Sequence, residues 1–105
     1  MTLAHDGIDE TSKHKIIAII SALVPDATIY LFGSRARGTQ SKWSDIDIAL
    51  DTGHPISRFV LGELISIFEA TDILYKIQVI DINSFNEAMK TSILRDRVLI
   101  KSVSL

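Results

Sequence analysis

The chain has 105 residues, a formal net charge of −2, 47% apolar residues and 23% charged ones, a balance that excludes a disordered or fibrous chain and suits one compact domain with a modest core. A core of that size leaves room for a partner chain or for self-association as a homo-oligomer. The charge balance gives the molecule as a whole no pull on nucleic acid, so direct nucleic-acid binding is not indicated and any phosphate site must be a local cluster.

Residues 1–10 show no periodicity and read as a loose lead-in. Thr11 or Ser12 then caps a helix whose apolar stripe runs through Ile16, Ile17, Ile19, Ile20 and Leu23. Val24-Pro25-Asp26 ends it, because the residue before proline is pushed out of helical backbone space. Thr28 to Phe32 (TIYLF) is short, β-branched and aromatic, and reads as a buried strand stopped by Gly33. Ser34 to Gly38 fits a short helix or turn, and Thr39 to Ser44 a polar loop. Asp45 to Leu50 (DIDIAL) alternates with the strand period of two. Asp51 to Pro55 is turn-rich.

Ile56 to Ala70 predicts a helix with Ile56, Phe59, Val60, Leu64, Ile67 and Phe68 facing the core. Gly62 inside it costs about 1 kcal/mol against alanine, which points to close packing or a nearby boundary. Lys76 to Ile82 (KIQVIDI) is a third strand. Asn83 or Ser84 caps a last helix through Phe85, Ala88, Met89 and Ile93, and Arg97 to Ile100 forms a short strand or stays extended. No repeat or linker interrupts the order, so a single α/β (α+β) domain over residues 1–105 is expected, a small mixed sheet of three or four strands flanked by helices. There is no cysteine, which rules out disulfides and Cys-ligated zinc. The polar N-terminus is unlike a signal peptide, and no apolar run approaches the ~20 residues needed to cross a bilayer. A cytoplasmic protein without a membrane role is the expectation.

Two features carry chemistry. The first is Gly33-Ser34. A glycine leaving a buried strand lets backbone approach a ligand closely, and a helix turn opened by Ser34 presents free N–H groups to phosphate. The serine hydroxyl adds a donor, and Arg35 and Arg37 bring charge that pairs with phosphate oxygens. The second, ten residues on, is Asp45-Ile46-Asp47. Residues i and i+2 of a strand share a face, about 6–7 Å apart. Like charges so placed repel unless a cation lies between them, and magnesium takes one or two carboxylates plus substrate phosphates. Either feature alone has a bland explanation as a turn or a polar strand face. Adjacent, they meet the two needs of a nucleoside triphosphate with its metal.

The segment FGSRARGTQSKWSDIDIAL resembles the signature of the DNA polymerase β-like nucleotidyltransferase superfamily, and the small size is similar to its minimal nucleotidyltransferase (MNT) family. The resemblance implies the nucleotidyltransferase fold. It implies a triphosphate held at Gly33 and Ser34, and Asp45 and Asp47 as catalytic residues holding Mg2+, with Mn2+ as an alternative. It further implies ATP as substrate, AMP transfer to a hydroxyl, and a HEPN-domain toxin as partner to which the protein is antitoxin. The family pattern carries a third carboxylate on the strand after the long helix; alignment of KIQVIDI puts Gln78 there. Asp81, three residues on, points to the opposite face. A neutral amide supplies no negative charge and no base, so slow or absent transfer with nucleotide binding retained is the competing expectation, an antitoxin that acts by binding. Antibiotic adenylylation would need a second domain to hold the drug.

Among the remaining polar residues, His5, His14 and His54 share no metal-ligand spacing and are expected at the surface. Trp43 is expected to be partly buried, Asp51 to serve a turn, and Lys76 to be a solvated edge lysine.

Overall fold

The computed structural model describes residues 6–102. In chain order its elements are α1 (Glu10–Leu23), β1 (Thr28–Phe32), α2 (Gly33–Arg37), β2 (Ile46–Asp51), α3 (Arg58–Ala70), β3 (Ile77–Asp81), a 3-10 turn (Ile82–Ser84), α4 (Glu87–Leu94) and β4 (Val98–Lys101). The strands form one sheet in the order β3-β2-β1-β4. β1 runs antiparallel to β2 and β4, and β2 parallel to β3. This is the expected mixed sheet, with β4 as its fourth strand. Among the described residues no helix is long and apolar enough to cross a membrane.

The core lies on one face of the sheet. Ile29 and Leu31 of β1, Ile46, Ile48 and Leu50 of β2 and Val79 of β3 are buried there with Ile16 and Ile20 of α1 and Leu64 and Phe68 of α3. Each such side chain contributes about 1.5–3 kcal/mol on burial. That stabilisation fixes the register of β2, because a slip by one residue would carry Asp47 into the core and its isoleucines out.

Several local expectations are corrected. Asp9, rather than Thr11 or Ser12, caps α1: its carboxylate accepts the Ser12 N–H at 3.0 Å and the Ser12 hydroxyl at 2.8 Å. The lead-in is not loose where it is described. Asp6 and Ile8 are buried, and Asp6 accepts the Ile8 N–H at 2.9 Å and pairs with Lys13 at 2.9 Å. On α3, Phe59 is 75% exposed and Ile67 36%, so neither belongs to the core. Phe59 is five residues from Leu64, about 140° around the helix. Gly62 is exposed, and a Cβ there would meet nothing within 4 Å, so neither close packing nor a boundary explains it. Asn86, rather than Asn83 or Ser84, caps α4 by accepting the Met89 N–H at 2.9 Å.

Candidate active site

The site begins where β1 meets α2. Phe32 is extended and Gly33 follows at φ +75°, a left-handed conformation that costs other residues about 1–2 kcal/mol. A second constraint acts at the same place. A Cβ on Gly33 would overlap the Asp47 carboxylate and lie 3.2 Å from its Cγ. Glycine therefore both makes the turn and lets the neighbouring strand's carboxylate rest against the backbone. The antiparallel register pairs Phe32 with Asp47, so the end of β1 and the start of β2 are side by side.

At five residues, α2 is too short for its dipole to matter much. What it offers phosphate is its amides. Phe32 at its N-cap makes no side-chain capping bond, whereas α1, α3 and α4 are capped by Asp9, Ser57 and Asn86. Ser34 is half-buried in the first turn and Arg37 exposed in the last.

Asp45 immediately precedes β2 rather than opening it, since the strand runs Ile46–Asp51. Among the described residues no hydrogen bond reaches the Asp47 carboxylate. Burial holds its pKa above the usual carboxylate range and the Asp45 charge adds to this, while Arg37 and Arg35 pull the other way. A carboxylate partly buried beside a second one, without a hydrogen-bond donor among the described residues, fits a divalent cation with oxygen ligands.

Gln78 stands opposite Asp47 in the parallel β2–β3 register and is exposed. Opposed residues of neighbouring strands share a face, so an amide sits beside Asp47. Among the described residues no group of three or more His, Asp or Glu side chains gathers to hold a metal. Asp81 is no displaced third member. It is 3% exposed, and its carboxylate accepts the Ile56 N–H at 2.8 Å and the Asn83 N–H at 3.0 Å.

Arg35 is the expected phosphate-binding residue that the structure takes out of the set. It is 2% exposed. Its Nη1 donates to the Asp6 carbonyl at 2.8 Å, its Nε and Nη2 to the Ser44 carbonyl at 3.1 and 2.9 Å, and Nη2 also to the Lys42 carbonyl at 3.4 Å. Nothing in the spacing of GSRAR marks which arginine turns inward, and the same holds for Tyr75, over whose ring the Arg35 guanidinium lies at 4.7 Å. Trp43 is 81% exposed, against the expected partial burial, with the Lys42 amine 5.1 Å from its ring centre. His14 and His54 are exposed beside Glu10 and Asp26; His5 lies outside the described residues. Asp51 serves its turn by accepting the Gly53 N–H at 2.9 Å, and Lys76 is exposed.

A mixed sheet that sets an uncapped glycine turn beside a strand-borne carboxylate is the architecture of a nucleotidyltransferase. The chain belongs to the polymerase-β nucleotidyltransferase family, whose sequence model matches residues 14–104. It is similar to a Haemophilus influenzae protein named probable protein adenylyltransferase MntA, at 30% identity over 83 residues that cover 79% of this chain and 73% of that one. Among solved structures it resembles a toxin–antitoxin with AMP-PNP, at a TM-score of 0.70 and 27% identity over 86% of this chain and 73% of that one. It also shares its fold with a complex of tri-AMPylated Shewanella oneidensis HEPN toxin and MNT antitoxin, at a TM-score of 0.68 and 22% identity over 90% of this chain and 73% of that one.

Proposed function

We propose that this chain transfers AMP from magnesium-bound ATP to a hydroxyl of a HEPN-domain partner in the cytoplasm, and acts as that partner's antitoxin. The observation that carries the reading is the Asp47 carboxylate seated against left-handed Gly33, beside the uncapped Ser34 turn. A relative named probable protein adenylyltransferase and a similar toxin–antitoxin crystallised with AMP-PNP support it.

The residues divide the work. The turn amides and the Ser34 hydroxyl bind triphosphate oxygens, and Arg37 adds a charge-assisted bond. Asp45 and Asp47 would hold Mg2+, or Mn2+ in its place, with the Gln78 amide oxygen within the same face. The bound metal would neutralise charge on the phosphate and the leaving pyrophosphate. In the reaction, the acceptor oxygen bonds to the α-phosphorus, the bond to pyrophosphate breaks, and the hydroxyl proton must leave. Gln78 cannot take that proton.

For that reason a second reading stands beside the first: a nucleotide-binding antitoxin with weak transfer, which neutralises its partner by covering it. Intact mass spectrometry of the co-expressed partner separates them. Mass gains in AMP steps that vanish with Asp45→Ala support the enzyme. An unmodified partner in a stable complex supports the binder. Gln78→Glu is expected to raise transfer if the missing carboxylate is what limits it.

A further inference from the structure

We infer that Arg35 is a positioning residue for Asp45, an inference that rests on the nucleotidyltransferase reading above. The two peptide groups that flank Asp45 are both pinned. On its N-terminal side the Ser44 carbonyl takes two donors of the Arg35 guanidinium, at 3.1 and 2.9 Å. On its C-terminal side the Ile46 N–H donates to the Lys76 carbonyl at 2.9 Å. The second pin is ordinary sheet pairing; the first is supplied by a side chain from the turn that carries Ser34.

The same guanidinium ties down what lies around it. It holds the Lys42 carbonyl at 3.4 Å and the Asp6 carbonyl at 2.8 Å. It rests on Tyr75, whose hydroxyl donates to the Gly7 carbonyl at 3.3 Å. Arg35 thus links the N-terminal segment, the phosphate turn, the Asp45 loop and the approach to β3. Burying a cation among carbonyls, with no carboxylate partner among the described residues, is costly. The fork shape explains why arginine is used: it reaches three carbonyls and stacks on a ring at once, which the single ammonium of lysine on its flexible stem cannot do.

The loop carries its own reporter. Trp43, the only tryptophan in the chain, lies between the two clamped carbonyls of Lys42 and Ser44 and is exposed. The experiment compares wild type with Arg35→Lys by Trp43 fluorescence anisotropy, by Mn2+ binding followed through the free-ion paramagnetic resonance signal, and by AMP transfer to the partner. Circular dichroism checks the fold. The expected result is a folded variant with lower anisotropy and an unchanged KM for ATP. Mn2+ affinity and kcat should fall on the order of 10- to 100-fold, the scale of an ångström-sized misplacement. Unchanged anisotropy, Mn2+ affinity and kcat would overturn the inference. So would a raised KM for ATP at constant kcat, which would mean that Arg35 binds the triphosphate itself. If Arg35→Lys does not fold, Tyr75→Leu removes the ring beneath the guanidinium, and the same pattern in smaller measure is expected; normal Mn2+ affinity and kcat there overturn the inference. A wild-type protein that neither binds Mn2+ nor transfers AMP sinks the enzyme reading along with it, an outcome distinct from a working wild type with an indifferent variant.

Discussion

Asp47 and Asp51 stand on the same face of β2, and their surroundings are opposite. Asp51 accepts the Asn83 side-chain amide at 2.9 Å and the Gly53 N–H at 2.9 Å. The Asn83 bond above all holds its pKa below the usual range. Asp47 has no such donors among the described residues, and burial holds its pKa above that range. A carboxylate furnished with donors is completed by the fold; one that lacks them keeps its lone pairs open to water or to a cation. The two arginines of α2 repeat the contrast. Arg35 commits its donors to carbonyls, while Arg37 remains exposed.

Asp47→Asn breaks the contrast where it is sharpest. Transfer to the partner should fall about a thousandfold, or ~4 kcal/mol in barrier, as read by single-turnover labelling. The same change should stabilise the unliganded protein at neutral pH. Because folding raises the Asp47 pKa above its ordinary value of 3.8, its contribution to stability is full below that value and is lost as pH rises through the folded one. Removing the charge removes that loss, so the thermal midpoint should rise at neutral pH and not in acid.

Gly33→Ala presses on the same carboxylate from the backbone side. The positive φ and the overlap with Asp47 should together cost about 2–3 kcal/mol in denaturant unfolding. Gly62→Ala is the counterpart away from the site: an open position in a helix interior, with an expected gain of about 0.5–1 kcal/mol and unchanged transfer. A loss of stability there would show that α3 is constrained in a way its geometry does not reveal. The smallest effect belongs to Asn83→Ala, which brings Asp51 closer to the condition of Asp47. The loss should be a few tenths of a kcal/mol, given a partly exposed bond. Its sign with pH is the reverse of that at Asp47. A depressed pKa stabilises above the unfolded value and loses that contribution as pH falls through the folded one. The difference from wild type should therefore fade in acid.

Much of this was legible in the chain as written. The strand Thr28–Phe32, its stop at Gly33 and the alternation of Asp45 to Leu50 can be read because each rests on a local rule: a five-residue β-branched run, a residue without Cβ, a period of two. The same alternation distinguishes Gln78 from Asp81, and the register bears it out by setting Gln78 opposite Asp47 and Asp81 inward. The apolar pattern of α3 was less informative, because Phe59 counts as apolar wherever it points and only its angle to Leu64 sends it outward.

The sequence by itself therefore determined the class of fold and the positions of the glycine turn and the paired aspartates, since these follow from preferences set within a few residues. Only the tertiary structure decided that Asp47 lies against Gly33 with no donor among the described residues, and that Arg35 turns inward while Arg37 does not. Those facts depend on which carbonyls, rings and strands arrive from elsewhere in the chain: Asp6 and Tyr75 stand 29 and 40 positions from Arg35, and no local preference of a long, flexible side chain anticipates them.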